Sequence, residues 1–363
     1  MKVNIENERM KRKFSRWLKE AHRCHSSTVD NIEKAIILYE DFTKRTCFKT
    51  FNTNRAIEFK EYLRKKEFRG KVISLTTYYT YLRYLKKFFL WLSGQMGYKS
   101  KITPDIVDYL NISEKDKRIA TQMTPRNYPT LAYVLKLANS IKVYNEIDLR
   151  DRALIAFTLL SGMRDTAIIT LPLCCLDMEK LTISQNPKMN VQTKFSKYIL
   201  STLFKFNEQL LDYVREWVKH IKNKDFGSQD PLFPRAKREQ GPDNLSFQAS
   251  DKVETTFWQG TGSMRGIFKK RAKKASLSYY PPHTFRHLAV SLALKYCKTG
   301  EQIKAMSQNF GHEHIATTLS SYANYTPDRL SEILKSMDFS GKPQKTVDDK
   351  LDEIMRTIKP NTT

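Results

Sequence analysis

The stretch LTISQNPKMNVQTKFSKYILSTL, residues 181–203, interrupts a chain that otherwise reads as one helix after another. Runs with strand-forming residues at either end, separated by Asn, Pro and Ser, are the pattern of paired strands joined by turns. On both sides the period returns to that of helices, in LAYVLKLANS (131–140), LRDRALIAFTLLSG (149–162) and NEQLLDYVREWVKHIK (207–222). Residues 131–335 are therefore expected to form a mainly helical domain with a small antiparallel sheet near its front. GSQDPLFPRAKREQGPDNLSFQAS, residues 227–250, is punctuated by Gly, Pro and Ser and is expected to be a loop.

Upstream, residues 1–110 read as helical throughout. In SLTTYYTYLRYLKKFFLWLSGQ (74–95), Leu75, Tyr78, Leu82, Leu85, Phe89 and Leu92 recur at spacings of three and four, while Arg83, Lys86 and Lys87 lie largely elsewhere around the helix. One face packs and the other is basic. A solvated charged surface would account for this helix alone; the neighbouring KRKFSRWLK (11–19) favours a DNA-facing role. NISEKDKRIATQMTPRNYPT (111–130) is polar, has two prolines and no period, so it is the expected linker. Residues 336–363 form a tail whose Leu351, Ile354, Met355 and Ile358 give a short apolar stripe, suited to docking on its own domain or on a neighbouring subunit.

The 363 residues carry 63 Lys and Arg against 38 Asp and Glu, a formal net charge of +25. Such an excess points to a polyanion, and nucleic acid suits it better than a membrane surface. No apolar run is long enough to span a bilayer, and the first twenty residues lack the core of a secretory signal, so an intracellular protein is expected. The five cysteines form no CxxC pair and are expected to be reduced. No GxxxxGK[ST] motif is present to suggest nucleotide hydrolysis.

Four of the seven histidines fall between residues 283 and 314. His283 and His287 have the i, i+4 spacing of a zinc helix, but Thr284 stands where a zincin needs Glu, and Arg286 would set a permanent positive charge beside the ion. Packed histidines satisfied by hydrogen bonds are the plainer alternative. An anion site explains the combination better. His283 and Arg286 can both donate to phosphate oxygens, and the helix start set by Pro281 and Pro282 adds amide groups.

PPHTFRH (281–287) followed by NFGHEHIATTLSSYANY (309–325) resembles the tyrosine recombinase, or phage integrase, family, with its HxxR, GH and nucleophilic tyrosine. FTLLSGMRDTAIITLPL (157–173) is similar to that family's first arginine box, and NVQTKFSKYILSTL (190–203) to its lysine-bearing hairpin. The resemblance implies a helical core-binding domain joined to an α+β catalytic domain. It makes Arg164 and Arg286 the phosphate clamp, and His283 and His312 the groups that bond the phosphate and help the tyrosine lose its proton. Lys194 becomes the general acid for the departing 5′ oxygen, with Lys197 the competing position. His287 and His314 match no required position and are expected to support the site or touch the DNA backbone.

Two departures from the family pattern stand out. The tyrosine usually lies nine residues after the GH histidine, where this chain has Ser321; Tyr322 is the expected nucleophile, with Tyr325 and Ser321 as alternatives. The acidic residue usual three positions after the first arginine is replaced by Ala167, and Asp165 directly follows Arg164 instead. The resemblance further implies strand exchange through a 3′-phosphotyrosyl intermediate, without ATP, metal or other cofactor. The implied partners are double-stranded DNA with specific sites, three further copies forming a tetramer on DNA from monomers in solution, and accessory DNA-bending proteins. No membrane is implied, and the location would be cytoplasmic, at the nucleoid. A type IB topoisomerase, a non-catalytic DNA-binding relative and a zinc hydrolase are the other classes to be separated.

Overall fold

The computed structural model describes residues 3–68, 70–122, 127–224, 226–240, 247–316, 318, 331, 332, 334 and 335. The chain divides into two compact units between residues 124 and 125, inside the stretch read as a linker.

The first unit is built on helices α1 (Ile5–Glu20), α2 (Ser26–Phe42), α3 (Thr53–Lys65) and α4 (Leu75–Ser93), with a minimal hairpin of β1 (Glu67–Phe68) and β2 (Lys71–Val72) before α4. Side-chain caps start the helices: Asn4 Oδ1 accepts from the Asn7 amide, and Ser74 Oγ from the Thr77 amide. The apolar stripe of α4 buries Tyr78, Leu82, Leu85, Phe89 and Leu92. They join an aromatic core in which Phe51 and Phe89 stack at 3.8 Å and Tyr39 meets Phe59 edge-on at 5.2 Å. Asn7 is the polar pin of this core. It donates to Glu40 and to the Thr46 carbonyl and accepts from the Phe48 amide, so its burial leaves little hydrogen-bonding capacity unmet.

Two short helices follow, α5 (Pro104–Asp108) and α6 (Glu114–Thr121). The second corrects the expectation of an irregular linker from residue 111. Ser113 caps it, Ala120 is buried, Thr76 donates to the Ala120 carbonyl, and Asp116 pairs with Arg64. With one small residue buried, α6 leaves almost no apolar period in the sequence.

The second unit is centred on α8 (Glu146–Ser161), which is buried from Asp148 to Ser161 except at Arg152. Around it pack α7 (Leu131–Asn139), α10 (Glu208–Lys222) and α12 (Pro282–Tyr296). Between α8 and α10 run α9 (Asp165–Ile169) and a three-stranded antiparallel sheet, β3 (Leu176–Asp177), β4 (Thr182–Gln185) and β5 (Ile199–Thr202), in that spatial order. The β4–β5 register pairs Thr182 with Thr202 and Gln185 with Ile199, leaving residues 186–198 as the connecting loop. The expected architecture, mainly α with a small antiparallel sheet, is therefore observed.

Residues 227–250, expected to be a loop, contain β6 (Ala236–Gln240) and the start of its antiparallel partner β7 (Phe247–Val253). Lys237, Arg238 and Glu239 are all exposed, so the strand has no packed face and no alternation for the sequence to show. Its base is tied down where the Val253 amide donates to Glu146. The unit continues through α11 (Thr261–Lys274), α12 and α13 (Gly300–Asn309). A buried ion network locks α11 to α8: Arg271 bonds Asp148 at 2.8 Å and Asp151 at 2.6 Å, and Arg150 bonds the other oxygen of Asp151 at 2.7 Å. Tail residues 336–363 lie outside the described residues.

Candidate active site

Arg286 lies one turn into α12 and is 93% buried, an unusual place for a guanidinium without dense hydrogen bonding. Its Nη1 donates to the Gly162 carbonyl at 2.7 Å; its Nη2 donates to the Phe310 carbonyl at 2.7 Å and to His312 Nε2 at 2.8 Å. The first carbonyl ends α8 and the second ends α13, so one side chain fastens three helices around a single point. Backbone must come unusually close for this. Gly162 and Gly311 both have left-handed φ, +54° and +67°. A Cβ at the first would collide with the Phe310 ring and at the second with Ile199.

The Arg286 contact also fixes the state of His312. A guanidinium cannot accept a hydrogen bond, so Nε2 must be the acceptor, which places the neutral ring's proton on Nδ1. Nδ1 donates to Thr318 Oγ1 at 2.7 Å, and Thr318 donates onward to Ser307 Oγ at 3.0 Å. Burial, then the charges of Arg286, Arg164 and Lys194, push the His312 pKa down from 6.5 to about 3. The charges of three of the cations expected at the site therefore act on this imidazole.

That depression sets a pH dependence. The unfolded chain binds a proton at His312 below about 6.5 and the folded one only near 3, so the folded state is favoured above that window and loses stability as pH falls through it. In His312→Gln, the slope of log unfolding constant against pH should change by up to about one proton within the window. Denaturant melts at stepped pH measure it; identical slopes for the two proteins would refute it.

Arg164 caps the start of α9 and is partly exposed. Asp165 beside it is 7% exposed, and its Oδ1 has no hydrogen-bond partner among the described residues. Burial raises the Asp165 pKa, opposed by the charges of His283, Arg265 and Arg286. Asp165 thus sits among the site's cations, whereas Ala167 is buried. His283 is exposed on the first turn of α12, its ring 6.1 Å from that of the buried His287. His314 is exposed beside Glu313.

Lys194 is on the β4–β5 loop, exposed, and near enough to His312 and Glu313 to lower the pKa of both. Lys197, three residues on, is ion-paired with Glu313. Asn309 anchors the loop's second strand: its side chain accepts from the Thr202 amide at 2.6 Å and donates to the Thr202 carbonyl at 3.0 Å, while Ser201 donates to the Asn309 backbone at 2.8 Å. These contacts, and the Thr318–Ser307 chain behind His312, were not anticipated from the sequence. Ser321, Tyr322 and Tyr325 lie outside the described residues.

The remaining expected contacts, Arg83, Lys86 and Lys87, are on α4 of the first unit. Arg83 lies 5.7 Å from the Tyr84 ring and Lys87 6.0 Å from that of Trp17. Lys86 is engaged otherwise: it pairs with Asp108 at 2.7 Å and donates to Asn111 at 2.8 Å, fastening α5 to α4.

The sequence pattern of the phage integrase family matches residues 130–329, more than half of the chain. The chain belongs to the phage integrase family. Among individual relatives, it is 24% identical over 189 residues to tyrosine recombinase XerD of Vibrio vulnificus, covering 52% of each protein. It is 26% identical over 206 residues to the transposase from transposon Tn916 of Enterococcus faecalis, covering 53% of this chain and 47% of the transposase. The chain thus spans about half the length of these relatives. Among solved folds, XerH site-specific recombinase bound to a palindromic difH substrate, in its post-cleavage complex, aligns with a TM-score of 0.60 at 15% identity, over 90% of this chain and 84% of that one. A lambda integrase dimer bound to a COC′ core site aligns at 0.58 and 11%, over 94% and 81%. The two-unit helical architecture is the one these phage integrase family folds share.

Proposed function

We propose that this protein is a site-specific DNA recombinase acting through a covalent tyrosine intermediate, and the observation that carries the reading is the buried Arg286 guanidinium bonded to Gly162, Phe310 and His312. Phosphoryl transfer requires donors fixed where negative charge develops, and a buried, three-way bonded guanidinium meets that need. The phenol oxygen of Tyr322 attacks the scissile phosphorus, its proton passing to His283. The bond from phosphorus to the 5′ oxygen breaks, and that oxygen takes its proton from Lys194. A 3′-phosphotyrosyl linkage and a free 5′ hydroxyl result. Attack by a 5′ hydroxyl of a partner duplex reverses the steps and completes exchange with no net loss of phosphodiester energy, so no ATP is called for.

The partners in this reading are duplex sites and further copies of the chain assembled as a tetramer. XerH bound to difH and the lambda integrase dimer on its core site are family folds engaged with DNA, which supports the duplex as substrate. The test is a nicked suicide duplex, whose cleaved strand diffuses away: a protein–DNA adduct stable to denaturant supports the reading, and none on any candidate site refutes it. Exchange between two marked duplexes then separates recombination from topoisomerase-like relaxation of a single one.

The acidic support for His283 falls to Asp165 in this reading. A buried carboxylate with an unpartnered oxygen costs folding free energy, so its presence is better explained by action than by stability. Asp165→Asn should melt at the same or a higher temperature while cleaving more slowly. Slower cleavage with a matching loss of stability would make Asp165 merely structural.

Arg83 and Lys87 are proposed to meet the DNA backbone, and Lys86 is withdrawn from that role because Asp108 holds it. Neutralising Arg83 and Lys87 should reduce the slope of log affinity against log salt by roughly 0.9 for each contact. Lys86→Gln should leave that slope near its wild-type value. Equal effects from all three positions would show that Asp108 yields to DNA.

A further inference from the structure

Packing does not explain Phe195. Its ring is 68% exposed, and both it and Ser196 hold left-handed φ, 61° and 50°, a conformation L side chains avoid. In extended chain, neighbouring side chains point to opposite faces. The left-handed turn breaks that alternation and brings the Phe195 ring to the Lys194 ammonium, with Nζ 4.8 Å from the ring centroid. Lys197, on the same loop, is held differently, by the carboxylate of Glu313.

We propose that Phe195 is a positioning residue for Lys194, its ring face holding the ammonium towards the His312 side of the site. The inference rests on the reading of Lys194 as the proton donor to the 5′ oxygen. The chemistry explains the choice of partner. A carboxylate beside an acid holds its proton more tightly and weakens donation, whereas a ring quadrupole attracts the cation without adding formal negative charge. An exposed lysine on a loop otherwise spends its time among many rotamers, so a hold on its ammonium raises the fraction poised to donate. Glu313 is occupied by Lys197, which keeps the one nearby carboxylate with which Lys194 interacts from serving as that hold.

The experiment is single-turnover cleavage of the suicide duplex, made with either the normal 5′-bridging oxygen or a bridging sulfur. A sulfur leaving group scarcely needs protonation, so it reports whether a defect lies in the proton transfer. Phe195→Leu keeps bulk and the same strained backbone but removes the π face. It should cleave the oxygen substrate about tenfold or more slowly, a part of the 10²- to 10⁴-fold that a general acid contributes, and the sulfur substrate at the wild-type rate. Phe195→Tyr retains the π face and should behave as wild type on both. A Phe195→Leu protein as fast as wild type on the oxygen substrate overturns the proposal. So does one slowed on both substrates with weaker DNA binding, which would make the ring a DNA contact. Lys194→Ala separates the two levels: if sulfur does not rescue it, the assignment of the acid has failed, whatever Phe195 does.

Discussion

Arg286→Lys should lower DNA cleavage by about a thousandfold or more while leaving affinity for DNA within a few-fold. Lysine keeps the charge but offers a single nitrogen, and no single nitrogen can bond Gly162, Phe310 and His312 together as the guanidinium does. His312 Nε2 would then lose the donor that sets its acceptor role, so the substitution disturbs both the guanidinium and the imidazole bonded to it. Cleavage is the sensitive readout because the clamp is worth most where charge accumulates in the transition state. Affinity is spread over many backbone contacts. The folding cost is distinguishable: leaving a buried carbonyl unpaired costs about 1–3 kcal/mol, visible as a lowered melting temperature and insufficient to abolish a folded population. A folded Arg286→Lys protein that cleaves within tenfold of wild type would show that charge alone suffices there. The fork argument would then be wrong.

The reach of the sequence can be judged from the same residues. The order of the motifs led to Arg164, Lys194, Arg286 and His312 as a group, because each sits in a short segment whose neighbours are also specified. The bond between Arg286 and His312 was not legible. Thr318 and Ser307 take part only because the chain folds back on α13, and neither has a spacing that marks it. Lys194 and Lys197 were competing positions because a loop sequence does not say which side chain meets Glu313. On α4 the apolar stripe was readable from its period, yet the pairing of Lys86 with Asp108, 22 residues away, was not. The helix α8 was recognised by its length and apolar run although it buries nearly its whole circumference. The β6–β7 hairpin, exposed at Lys237, Arg238 and Glu239, and the polar α6 escaped for the opposite reason: neither segment carries a periodic apolar signal.

Tyr322→Phe should bind its DNA site and form no covalent adduct, while Ser321→Ala and Tyr325→Phe still form one. Thr318, fully buried, is bonded directly to His312, only four residues before Tyr322 in the sequence. A phenol extends several bonds further from its backbone than a serine hydroxyl, which makes Tyr322 better able than Ser321 to span from there to a phosphate. The cations also discriminate. A free phenol has a pKa near 10, and in the proposed reaction the positive charges of Arg164, Lys194 and Arg286 would stabilise a phenolate as it forms. A serine alkoxide is far more basic and would need a strong general base, which His312, held neutral with its Nε2 lone pair on Arg286 and its pKa near 3, cannot provide. Mass spectrometry of the nuclease-trimmed adduct gives the direct answer. A phosphonucleotide on Tyr322 completes the chemistry proposed for the site. On Tyr325 it would move the nucleophile three residues onward, whereas on Ser321 it would require His283 to take the proton of a far more basic alkoxide, and the phenol reading would fall.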